Sequence, residues 1–212
     1  MWTQIAEQIT QATGKSFQIE KTRPVSGGCI NQGYAVSDSE QTYFVKVNSA
    51  TQIAMFDAEA LGLQQMSDTH TIRVPQPICW GLSDSSSFLV LEWLEFGRGD
   101  NASWEEMGRK LAALHQVGEV SKFGWECNNT IGSTPQINTW KDQWADFFTE
   151  CRIGYQLKLA KKRGGGLMSE NIVLPAVLEY LSDHHPQPSL VHGDLWSGNA
   201  AVTITGEPVI LD

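Results

Sequence analysis

The stretch LVHGDLWSGNAAVTITGEPVILD, Leu190 to Asp212, constrains this chain more than any other. The apolar runs AAVTI and PVIL predict two short strands around a Gly206–Glu207 turn. Ahead of that hairpin stand His192, Asp194, Trp196 and Asn199, and Asp212 follows it directly. Asp and Asn are common turn residues, so each of these positions taken singly fits an ordinary turn. A turn does not explain the order of acid, amide, hairpin and second acid. A carboxylate can accept or orient the proton of an attacking hydroxyl. An amide oxygen and another carboxylate can ligate a Mg²⁺ that neutralises phosphate charge.

Composition narrows the partners. The chain has 212 residues and a formal net charge of −9, which argues against a nucleic-acid backbone as partner. A phosphorylated nucleotide stays open, since it needs only a few local cations and amides. No apolar run approaches membrane-spanning length. The N-terminal MWTQIAEQITQATGKSF is too polar for a signal peptide and predicts a helix with Trp2, Ile5, Ile9 and Ala12 on one face. Cys29, Cys79, Cys127 and Cys151 form neither a CxxC pair nor a zinc spacing, so a reduced, cytoplasmic protein is expected.

Along the chain, strands are expected at Phe17–Pro24, Gln32–Val36, Thr42–Asn48, Pro77–Leu82 and Ser87–Leu94, with a turn at Ser83–Ser87. A helix over about Thr51–Ser67 presents Phe56, Ala60 and Leu63 as its apolar stripe. After Leu94 the pattern turns helical. One helix starts at Ser103, the expected N-cap, with Glu106 completing a capping box and Trp104, Met107, Leu111 and Leu114 as its stripe. A second runs from about Trp140 to Arg163, and a third lies within Glu170–Ser182, with Pro175 as its start or a kink. The reading is an α+β, two-lobed chain: a strand-rich lobe at 1–93 and a helix-rich lobe at 94–212.

Three further groups carry candidate chemistry. Ser26-Gly27-Gly28-Cys29-Ile30-Asn31 is a glycine turn between strands whose amides could approach phosphate oxygens, or a plain hairpin turn; it matches neither common phosphate-loop template. Lys46 shares a strand face with Phe44, whereas Tyr43, Val45 and Val47 share the other. A cation among apolar neighbours needs a partner or ligand, and Glu59, at the margin of its helix stripe, can supply a carboxylate. Leu91, Glu92 and Leu94 lie where the strand-rich part ends.

The order of glycine turn, strand Lys46, helix Glu59, apolar connection, HGDxxxxN and hairpin Asp212 resembles the kinase-like small-molecule phosphotransferases. Within them, SGGCINQGY, YFVKVN, FDAEALGL, GWECNNTIGSTPQINTWKDQWADFF and LVHGDLWSGN look like the fructosamine kinase (ketosamine 3-kinase) family, over essentially the whole chain. The resemblance implies a two-lobed protein-kinase-like fold. It also implies ATP- and Mg²⁺-dependent phosphorylation of the 3-hydroxyl of sugar–amine adducts, free or on protein lysines, leading to deglycation. Carried over, Asp194 is the catalytic base, His192 orients its loop, and Asn199 and Asp212 are the Mg²⁺ ligands. Lys46, paired to Glu59, holds the nucleotide phosphates. Residues Ser26, Gly27, Gly28, Cys29, Ile30 and Asn31 cover them. Leu91 lines the adenine pocket, the Glu92 carbonyl and Leu94 amide contact the base, and Trp196 touches the sugar adduct. Gly193 stands where protein kinases carry the Arg that reads a phosphorylated activation loop, which points away from that mode of switching. Relatives continue past the final Asp into further helices, so a truncated second lobe is expected. Cys29 in its glycine turn suggests thiol oxidation, with a disulfide-linked or other homodimer as one outcome. The rivals are a related phosphotransferase for aminoglycosides or choline, and a non-catalytic nucleotide-binding fragment. No nucleic acid or membrane is expected as a partner.

Overall fold

Lys21–Val25 (β1), Gln32–Ser37 (β2), Thr42–Ser49 (β3), Pro77–Ser83 (β4) and Ser86–Glu92 (β5) form an antiparallel sheet in the order β1-β2-β3-β5-β4. The computed structural model describes residues 1–25, 30–118, 120–166 and 168–212. The central strands are apolar on both sides because both faces are covered. Helix α1 (Trp2–Thr13) packs Ile5, Ala6 and Ile9 against Val36, Tyr43, Val45, Val47, Phe88 and Val90. Helix α2 (Ile53–Asp68) packs Phe56, Ala60, Leu63 and Met66 against Leu89 and Leu91 on the other face. Phe56, Leu63 and Leu89 are at most 1% exposed, and each such side chain contributes about 1.5–3 kcal/mol through its burial.

The chain divides into two compact units. One comprises Met1–Val117 together with Leu190–Asp212; the other is Gly118–Ser189. The first unit contains the sheet, α1, α2, helix α3 (Asn101–Gln116) and the closing hairpin of Ala200–Val202 and Pro208–Ile210. Gly206, at φ 86, makes the hairpin's tight turn. Ile210 is fully buried in the cluster that includes Met107 and Leu114 of α3, so the hairpin is anchored to the α2 side of the sheet.

The second unit holds a small hairpin, Asn129–Ile131 with Thr134–Gln136. It also holds helix α4 (Trp144–Phe147), a π-helical turn (Phe148–Gly154), helix α5 (Tyr155–Lys162) and helix α6 (Glu170–Leu181). Asn138, 4% exposed, organises its loop: its amide nitrogen donates to the Cys127 carbonyl and Asn129 Oδ1, and its Oδ1 accepts from Arg152.

Several boundaries differ from those the sequence predicts. Phe17 is not in a strand: its N–H donates to Thr10 Oγ1 of α1 at 3.0 Å and its ring packs on Tyr43 of β3. Ala12 is exposed, and Ala6 takes its place in the buried stripe. The cap of α3 is Asp100, not Ser103. The Asp100 carboxylate accepts from both the N–H and hydroxyl of Ser103, and Glu106 pairs with Arg109 instead of closing a capping box. Those bonds to Ser103 also hold the exposed Asp100 carboxyl below its ordinary pKa. The helix expected from Trp140 starts at Trp144, because Lys141 is paired through its main chain to Phe123. Pro175 lies inside α6, and Glu92 ends β5, leaving Trp93 and Leu94 in the connection beyond.

Candidate active site

Alternation along β3 sends Tyr43, Val45 and Val47 toward α1, so Phe44 and Lys46 face the α2 side. The α2 stripe fixes the helix azimuth and turns Glu59 toward the same place. Lys46 Nζ lies 2.7 Å from Glu59 Oε1, with only 12% and 13% of the two side chains exposed. This is an ion pair by distance; its angles are not those of a directed hydrogen bond, and Glu59 Oε1 has no other partner among the described residues. Lys46 Nζ also contacts Asp212 Oδ1, so one ammonium group bridges a helix carboxylate and the carboxylate after the closing hairpin.

Lys46 and Asp212 line a cavity of about 770 Å³ inside the first unit. Leu91, Glu92, Trp93 and Leu94 form one part of its wall. Ile30, Asn31, Phe44, Lys46, Gly198, Asn199 and Asp212 form another. An apolar cleft with a few convergent polar groups is the usual form of a small-molecule site. The Glu92 carboxylate is occupied by Arg73 and the Gln76 N–H, and its own N–H by the Gln76 carbonyl.

The loop ahead of the hairpin is tied to the strand that follows it. His192 Nδ1 accepts from the Asp194 N–H at 3.2 Å, which assigns the ring proton to Nε2, donated to the Leu211 carbonyl at 2.8 Å. Asn199 Nδ2 donates to the Asp194 carbonyl at 3.0 Å, leaving its Oδ1 as the amide atom available to a cation. The Leu211 N–H donates to the Asn199 carbonyl at 2.9 Å. His192, Asp194, Asn199 and Leu211, the residue before Asp212, are thereby held by one short network.

The structure therefore gathers Ile30, Asn31, Lys46, Leu91, Glu92, Leu94, Asn199 and Asp212 around one cavity, with Glu59 behind Lys46. Asp194, His192 and Trp196 do not line it; they stand on the loop that carries Gly198 and Asn199 into it. Ser26, Gly27, Gly28 and Cys29 lie outside the described residues, and so does any disulfide through Cys29. Of the other cysteines, burial pushes the Cys79 thiol up to about 12 and raises Cys151, so neither is a thiolate at neutral pH.

Three contributors escaped the sequence reading. Asn48, two residues after Lys46 on the same strand face, donates to Asn31 Oδ1 at 2.7 Å and approaches the Ile30 carbonyl at 3.4 Å. It clamps the described end of the glycine turn to β3. Gly33 is required by close packing: a Cβ there would sit 2.9 Å from the Val25 carbonyl oxygen and 3.1 Å from the Phe44 ring. Gly198 lies under the Trp196 indole, where a Cβ would come within 2.3 Å of the ring. The i, i+2 relation of Asn48 to Lys46 was the one available signal; the glycine contacts are tertiary.

The sheet with its buried Lys–Glu pair, the 91–94 connection and the acid–amide–acid loop has the form of the kinase-like phosphotransferases. Crystal structures of aminoglycoside phosphotransferase APH(4)-Ia share this fold. One aligns with a TM-score of 0.63 at 14% identity, covering all of this chain and 71% of the other. A crystal structure from Haemophilus somnus 129PT, named for a fructosamine-3-kinase, aligns with a TM-score of 0.93 at 32% identity, over all of this chain and 72% of the other. The family model for fructosamine kinase matches residues 1–212, and the chain belongs to that family. A protein of Synechocystis sp. named probable ketoamine kinase is 61% identical over 211 residues, which is all of this chain and 72% of that protein. The chloroplastic protein-ribulosamine 3-kinase of Arabidopsis thaliana is 45% identical over 204 residues, which is 94% of this chain and 62% of that protein.

No described helix is long and apolar enough to cross a membrane. The kinase family implies the use of ATP.

Proposed function

We propose that this chain transfers the γ-phosphoryl group of ATP to the 3-hydroxyl of ketoamine sugar adducts, fructosamines and ribulosamines, on small amines or protein lysines. The phosphorylated adduct then decomposes and frees the amine. The observation that carries this reading is Lys46 bridging Glu59 and Asp212 in the wall of a cavity that residues 91–94 also line. Family membership supplies the substrate class. Residues 1–93 act as the nucleotide lobe, and 94–212 supply the catalytic loop. An ATP-dependent reaction suits the cytoplasm.

In this reading Leu91 packs against the adenine, and the Glu92 carbonyl and Leu94 N–H pair with its edge. Lys46 leaves Asp212 to hold the phosphates while Glu59 keeps its Nζ in place. The 26–31 segment covers the phosphates, with Asn48 fixing its end. Asn199 Oδ1 and Asp212 would hold Mg²⁺. Among the described residues no group of three or more His, Cys, Asp or Glu could hold a metal. Two protein oxygens nevertheless suit this ion, which keeps waters and phosphate oxygens in its remaining positions. When bound, it neutralises phosphate charge. Asp194 accepts the proton of the attacking 3-hydroxyl as the new O–P bond forms and the bond to the departing ADP breaks. His192 holds the Asp194 backbone, and Trp196 meets the sugar. Catalysis is then mainly positioning and charge stabilisation.

The test is Mg-ATP consumption with ribulosamine and fructosamine adducts beside an aminoglycoside and choline panel. Turnover with the ketoamines and release of the 3-phosphorylated sugar are expected. Turnover confined to the other alcohols would overturn the substrate, and nucleotide binding without transfer would overturn the catalytic reading. Replacement of Asn48 by Ala should raise the KM for ATP about tenfold while changing the ketoamine KM little, because it releases only the phosphate-covering segment. Equal increases in both KM values would assign Asn48 a general structural role.

A further inference from the structure

The geometry points to Arg73 as a positioning residue that keeps the hinge and the metal-bearing hairpin in register; this rests on the nucleotide reading above. Arg73 does not line the cavity, yet it touches both structures that do. Its Nη2 donates to Glu92 Oε1, in the hinge. Its Nε lies 3.9 Å from Glu207 Oε2, in the turn of the closing hairpin. Its carbonyl accepts from the Ile210 N–H at 3.0 Å, and its backbone bridges Val209, two and three residues before Asp212. Nη1 donates to the Val74 carbonyl at 3.2 Å, which fixes the guanidinium plane. Glu92 is fastened on its other side as well: its Oε2 accepts from the Gln76 N–H and its own N–H donates to the Gln76 carbonyl.

The Arg73 and Glu92 side chains are 26% and 30% exposed, so the pair is partly shielded from solvent. As a stability element alone, such a pair is worth little. Its placement gives it another consequence. In that reading a nucleoside di- or triphosphate is gripped at two ends, by the base at residues 91–94 and by the phosphates at Lys46 and through the metal ion that Asn199 and Asp212 would hold. Two linked grips reinforce each other only when their spacing is fixed. Arg73 is a single side chain bonded to the hinge whose own backbone is bonded to the hairpin. A planar guanidinium can hold the Glu92 and Val74 oxygens at once, which an ammonium group does less well.

The experiment measures ADP binding by calorimetry, with and without Mg²⁺, to the parent chain and to Arg73→Met, Arg73→Lys and Glu92→Gln. In the parent, Mg²⁺ should tighten ADP. In Arg73→Met that tightening should fall about tenfold, while metal-free ADP affinity stays within about threefold. Arg73→Lys should recover part of the loss, and Glu92→Gln should lose part in the same direction with the arginine still present. Equal weakening of both ADP forms would mark a purely structural role and overturn the proposal, as would unchanged Mg²⁺ tightening. If Arg73→Met does not fold, the same comparison on Glu92→Gln decides. A parent chain that fails to bind Mg-ADP would overturn the nucleotide reading itself, and this proposal with it.

Discussion

Replacement of Asp194 by Asn is expected to lower kcat for ketoamine phosphorylation by about 10²–10⁴-fold, the usual contribution of a positioned general base. Mg-ADP affinity should stay within about threefold of the parent. The split follows from where Asp194 stands. Its main chain is fixed at both groups, the N–H to His192 and the carbonyl to Asn199 Nδ2. Its carboxylate makes no hydrogen bond or ion pair with a described residue and faces solvent, where an incoming hydroxyl can meet it. It does not line the cavity proposed for the nucleotide, so losing its proton acceptor should leave nucleotide binding intact. Asn keeps the shape and backbone bonds and removes only the proton acceptor. Near-parental turnover would refute the assignment. A parallel collapse of Mg-ADP binding would show instead that the loop had come apart.

Glu59→Gln carries the second large effect, because the Lys46 ammonium is shared between two carboxylates. Removing the Glu59 charge leaves Lys46 to Asp212 alone. The lysine is then less well placed for phosphate, and Asp212 is less available to a metal ion. Loss of a preorganised electrostatic contact of this kind costs on the order of 10²–10³ in kcat. Half-saturation by Mg²⁺ should also shift to higher concentration. Lys46→Met should show the opposite pattern for the metal, with kcat just as low and no increased Mg²⁺ requirement, because Asp212 is released. Identical Mg²⁺ dependence in the two variants would refute the shared-ammonium account. The pair is mostly shielded, so both variants need a folding check; removing one partner from a buried ion pair is destabilising in its own right.

The inner strands were legible from their burial: β5 is buried on both faces and reads as an apolar run, whereas β3 alternates, with Tyr43, Val45 and Val47 on its buried face. Thr42–Asn48 and Gln32–Val36 were placed to within a residue. The stripe of Phe56, Ala60 and Leu63 likewise predicted the buried face of α2. Helix ends were less legible, since they depend on competing partners. Asp100 wins the cap of α3 because its carboxylate accepts two bonds from Ser103, while Lys141 is taken from the predicted helix by Phe123. The π-helical turn at Phe148–Gly154 has no periodic signature of its own.

The stretch from Leu190 to Asp212 separates what is local from what is tertiary. Sequence order alone supplied the donor types, the five-residue step from Asp194 to Asn199 and the strand pair before Asp212. Local chemistry and spacing determine these, and spacing is written in the chain. The tertiary structure decided that Lys46 reaches Asp212 as well as Glu59, that Asn48 holds the edge of the glycine turn, and that Arg73 joins hinge to hairpin. Those contacts join residues far apart in sequence. Their distances depend on how α2, the sheet and the hairpin pack on one apolar cluster, which no local pattern encodes.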